Sequence, residues 1–68
     1  MRPVFYVYIP GAAGQTAALR LYNRSGRLVK SVETITDGQV GTGPRLLDEA
    51  KAWAKAHRCS IVGPYLGQ

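Results

Sequence analysis

One cysteine, Cys59, is present, so no intrachain disulfide can staple the fold and the small secreted disulfide scaffold is disfavoured. A reducing, cytoplasmic setting is the expectation that follows. Acidic residues are scarce as well: four against nine Lys and Arg, and none before Glu33. Long apolar runs are missing, since nothing approaches the roughly 20 residues of a membrane span, and no membrane partner is expected. The apolar start "MRPVFYVYIPGAAG" superficially suggests a signal peptide. It alternates aromatic and β-branched residues and is broken by Pro10, which reads as a strand.

Motifs that dictate a chemistry are absent too. The glycine loops Gly11 to Gly14 and Gly41 to Gly43 carry neither the P-loop lysine and hydroxyl nor a full dinucleotide fingerprint. The first reads as a plain turn, and the second stands before a helix start where an anion could sit. His57 and Cys59 lie two apart, a spacing at which helical side chains do not face each other, and they lack the further ligands of a zinc site. Asp48 and Glu49 are adjacent and project differently, while Glu33 and Asp37 lie near a strand end and a loop. With no acid, base, nucleophile or metal set, neither an enzyme nor a cofactor is expected.

What remains is a chain of 68 residues, 46% apolar and 19% charged, expected to form one domain ordered from about Val4 to Leu66. At this size a single core barely offsets chain entropy, so covering further surface, as in a homodimer, is plausible. The run Val4 to Ile9 is dense in β-branched and aromatic residues and ends at Pro10-Gly11, the signature of a strand and a breaker. "AALRLYN" follows as a second strand, Asn23-Arg24-Ser25-Gly26 as a turn and "RLVKSVETIT" as a third strand.

The hairpin register is open. A two-residue loop places Leu28 and Val32 with Leu19 and Leu21, whereas a three-residue loop with a Gly26 bulge places Val29 there. Beyond the glycine-rich segment Asp37 to Gly43, Pro44 suits a first helical turn. Leu46, Leu47, Ala50, Trp53, Ala54 and His57 then recur at spacings of three and four, which predicts an amphipathic helix. A short strand, Ser60 to Val62, precedes Gly63-Pro64.

The fold class expected is therefore α+β: a small antiparallel sheet of three to four strands with one helix on one face, in the order β-β-β-α-β. The helix is expected to pack on Phe5, Val7, Ile9, Leu19 and Leu21. The opposite face would then carry Tyr6, Tyr8 and Tyr22 beside Arg20 and Arg24, with Arg27 and Lys30 near the rim.

The basic excess sits wholly in residues 1 to 32, which favours an anionic partner. Tyrosine rings and guanidinium planes stack on bases while Arg also pairs with phosphate, so Arg20, Tyr22, Arg24, Arg27, Lys30, Tyr6 and Tyr8 are the candidate nucleic-acid contacts. The same residues suit docking on an acidic protein surface, as an inhibitor or adaptor would. Lys51, Lys55 and Arg58 form a second basic line on the helix, read as a solvated face or a further contact strip. From Val4 to about His57, three strands followed by one helix resemble the arm-type DNA-binding modules of phage integrases. That resemblance rests on element order, implies a sheet docked in the major groove, and leaves the segment after Cys59 outside.

Overall fold

The computed structural model describes residues 1–12, 14–36 and 42–66, with only the backbone of Thr42. Four strands and one helix follow one another: β1 (Arg2–Ile9), β2 (Thr16–Asn23), β3 (Leu28–Ile35), α1 (Thr42–Ala56) and β4 (Cys59–Pro64). They form one mixed sheet in the order β3-β2-β1-β4, with the α+β element order read from the sequence.

Two successive antiparallel pairings make β3 run in the direction of β1, and α1 carries the chain back so that β4 enters in that same direction. β4 therefore pairs parallel to β1, so the sheet is mostly antiparallel, as expected, with one parallel pair at the β4 edge. β1 becomes a central strand, the place suited to a run that is apolar on both sides.

The hairpin joins both registers considered from sequence. Asn23 N–H donates to the Arg27 carbonyl at 2.9 Å, closing a three-residue loop with Gly26 at φ 85°. A shift between Leu21 and Tyr22 then leaves Val29 as the extra residue, because Tyr22 faces Leu28 and Leu21 faces Lys30. This bulge returns Val32 to a position opposite Leu19. Without it, Ser31 would point at the core.

The core lies between α1 and one sheet face. Ala17, Leu19, Leu21 and Val32 from the sheet meet Leu46 and Ala50 from the helix, with Tyr6, Leu47, Trp53 and Ile61 packed around them. The contribution of β1 differs from the expectation. Tyr6 stands opposite Leu21 and Tyr8 opposite Leu19, so Val4, Tyr6 and Tyr8 face the helix. Val4 is 2% exposed. Phe5, Val7 and Ile9, expected beneath the helix, share the open face with Arg20 and Tyr22 and are only half-buried.

Loops at the far end tie the sheet together. Gly14 N–H donates to the Thr36 carbonyl at 2.8 Å and Thr36 N–H to the Gln15 carbonyl at 2.9 Å. A Cβ on Gly11 would lie 2.5 Å from the Thr16 carbonyl oxygen, so that glycine allows a close chain approach. Gln15 N–H donates to the Ala12 carbonyl at 2.9 Å, an i to i+3 bond that fits the plain-turn reading of this segment. Of the glycine-rich segment before α1, residues 37–41 lie outside the described residues.

Candidate functional site

Parallel pairing of β1 and β4 has an electrostatic consequence. Both strands start at the same end of the sheet, which is also where the β2–β3 turn lies and where α1 finishes. Arg2 opens β1 and Arg58 immediately precedes β4, and Arg2 N–H donates to the Arg58 carbonyl at 3.1 Å. Arg24 and Arg27 project from the turn, so four arginines drawn from three chain segments meet at one end, with His57 beside them.

Local bonding holds this end in shape. The Asn23 Oδ1 accepts from Ser25 N–H at 3.0 Å, Ser25 Oγ at 2.8 Å and Arg27 N–H at 2.9 Å, an Asx-type turn that presents Arg24 and Arg27 to solvent. Arg2 and Arg24 line a shallow hollow of about 420 Å³ with Pro3, Asn23 and Ser25. The described acids lie elsewhere. Glu33 and Glu49 line a hollow of about 360 Å³ with Arg45, and Asp48 belongs to the first half of α1. Among the described residues, charge is thus polarised along the strands.

Arg58 occupies the left-handed region at φ 56°, just past the last helical turn, where glycine is the common choice. A non-glycine residue there costs about 1 kcal/mol. Arg58→Gly should therefore leave stability unchanged or raise it by up to about 1 kcal/mol, read as the shift in a urea unfolding midpoint. A drop would mean that the Arg58 side chain holds the fold together.

The sequence-predicted residues divide between the two faces. Arg20 and Tyr22 lie on the open face as expected, and the Tyr22 ring stacks on Tyr65 with centroids 4.8 Å apart. Tyr65 N–H donates to the Tyr6 carbonyl at 2.8 Å, which carries the last described segment back across β1. Arg24 and Arg27 stand at the basic end. Tyr6, Tyr8 and Lys30 are not on the open face. Tyr6 packs against the core, the Tyr8 ring lies 3.7 Å from the Cβ position of Gly43, and Lys30 stands opposite Leu21.

Those three positions are corrections with one physical cause. In β1 both faces are apolar, so alternation alone does not say which is covered, and in β3 the bulge at Val29 reverses the expected side of Lys30. Trp53 and Tyr65 were not among the candidate contacts read from sequence; nor was Arg2, while Arg58 was read only as part of the line with Lys51 and Lys55. Their signal was topological: an odd number of strands before one helix forces the starts of β1 and β4 to the same end.

His57 Nδ1 lies 2.9 Å from the Trp53 carbonyl and Cys59 Sγ donates to the His57 carbonyl at 3.5 Å, so the two side chains engage separate backbone oxygens. Among the described residues no three His, Cys, Asp or Glu side chains gather as metal ligands would, and no helix is long and apolar enough to cross a membrane. No protein-family model, curated protein or solved structure matches the chain. The likeness to integrase arm-type modules therefore stays one of element order, to which the structure adds a fourth strand beside β1.

Proposed function

We propose that this protein is a small non-enzymatic nucleic-acid-binding module, of an accessory or regulatory kind, that meets its target with the basic end of the sheet. The observation that carries this reading is the gathering of Arg2, Arg24, Arg27 and Arg58 at one end, away from the described acids. Four guanidinium groups on a polarised scaffold suit a backbone that repeats negative charge every few ångströms. Arg20 and the Tyr22–Tyr65 pair extend the surface along the open face.

The test is fluorescence anisotropy with labelled single- and double-stranded DNA and RNA at two salt concentrations. With about four phosphates neutralised, raising salt from roughly 50 to 200 mM should weaken binding to duplex DNA on the order of a hundredfold. No binding at the lower salt by folded protein would end this reading.

A second reading has its own observation. The open face carries half-buried Phe5, Val7 and Ile9, with Ile35 69% and Leu28 48% exposed, and is more apolar than the tyrosine-rich surface expected from sequence. Such a face suits a protein partner or a second copy of the chain. A nuclease-resistant partner lost on truncation of Phe5 would favour it.

A further inference from the structure

The basic end holds a second hollow that charge alone does not explain. It encloses about 300 Å³ and is lined by Arg2, Pro3, Val4, Asn23, Val29, Trp53, His57 and Cys59. Its aromatic wall is Trp53, whose indole stacks on His57 with centroids 4.5 Å apart and planes at 21°. The hollow shares Arg2, Pro3 and Asn23 with the shallow basic one that continues to Arg24 and Ser25. A largely apolar recess with an indole wall thus opens directly onto two guanidinium groups.

That pairing matches one ligand shape: a flat heterocycle joined to an anionic group. We infer that the recess seats a single nucleotide of a single-stranded nucleic acid, its base against Trp53 and its phosphate toward Arg2 and Arg24. The inference rests on the nucleic-acid reading above and adds to it a seat that only a single strand can fill.

Size and hydrogen-bonding chemistry both agree. The volume is at the lower end of small-molecule sites, which run from about 300 to 1,000 Å³, and is large enough for one base. In a duplex each base is stacked and paired, whereas a single strand can turn one out toward an aromatic wall. Asn23 spends its Oδ1 on the turn, which leaves the amide nitrogen as a donor toward a base edge. With His57 Nδ1–H donating to the Trp53 carbonyl, Nε2 is the ring nitrogen available as an acceptor. Stacking of one base on one ring is worth on the order of tenfold or more in affinity.

Trp53 is the only tryptophan, so in the folded chain its emission reports on the wall of this recess. The experiment titrates the full chain with a labelled single-stranded oligothymidylate of about eight nucleotides, a duplex of the same length, and thymidine 5′-monophosphate. The oligomer should quench Trp53 with the midpoint that anisotropy gives, the duplex should bind without quenching, and the mononucleotide should quench only at far higher concentration. Val29 is 38% exposed at the bulge, so Val29→Phe can fill the recess from its rim. That variant should weaken the single strand at least tenfold and leave the duplex unchanged.

Strand binding with unchanged Trp53 emission, or a Val29→Phe variant that binds as wild type, would remove the nucleotide seat and leave the basic-end reading standing. Saturation by the mononucleotide at or below the oligomer's concentration would overturn it in favour of a free nucleotide. Failure of every nucleic acid to bind would remove both readings together.

Discussion

Leu21→Ala should lower the stability of this chain by about 3 kcal/mol and its thermal midpoint by roughly 15 °C, one of the largest effects of any single truncation. Leu21 is 0% exposed at the centre of the sheet, opposite Tyr6 on one side and Lys30 on the other, and beneath the helix. The cost adds lost transfer energy to the cavity left where β2 has no freedom to collapse. A domain of this length is expected to hold only about 3 to 10 kcal/mol in all, so the variant should be partly unfolded at 37 °C. Urea unfolding followed by circular dichroism measures it. A loss below about 1 kcal/mol would contradict the core described here.

The same measurement separates two valines that the sequence makes look alike. Val4→Ala, at 2% exposure beneath the helix, should cost about 1 to 2 kcal/mol more than Val7→Ala on the open face. If the two cost the same, either β1 presents its other face to the helix or a partner covers Val7.

That pair also shows where reading the sequence stops. The helix was legible because its apolar residues recur at a period that only one face satisfies, and α1 runs from Thr42 to Ala56 where the spacing indicated Pro44 to about His57. Strand existence was legible from β-branched runs and turn residues. The facing of β1 was not, because Val4, Tyr6 and Tyr8 compete with Phe5, Val7 and Ile9 on nearly equal terms. The decision belongs to long-range pairing: Tyr6 lies opposite Leu21, which alternation within β1 does not encode.

Lys30 was misplaced for a related reason. One extra residue in β3 changes the side of every position beyond it, and the bulge depends on the whole hairpin rather than on the turn. Arg2 and Arg58 were legible in principle, since the strand count fixes direction. The two arginines lie far apart in the chain and close in the fold, so neither local charge nor the helix line of Lys51, Lys55 and Arg58 brings Arg2 and Arg58 together.

The second large effect tests that convergence. Arg2→Ala/Arg24→Ala should reduce duplex DNA affinity on the order of fiftyfold at 0.1 M salt and lower the salt slope by about two, because two counterion-releasing contacts are removed. Both residues are exposed, so the fold should stay within about 0.5 kcal/mol of wild type. Net charge alone predicts the same loss for any one cation as for any other. The control is therefore Arg45→Ala set against Arg24→Ala alone, one charge removed in each, with Arg45 beside Glu33 and Glu49 at the start of α1. At this ionic strength the Debye length is about 10 Å, so a charge at the start of the helix is screened from a backbone held at the basic end. The control should lose less than about threefold. Equal losses in the two single variants would mean that the strand is drawn by overall charge, and that the meeting of Arg2 and Arg24 has no part in holding it.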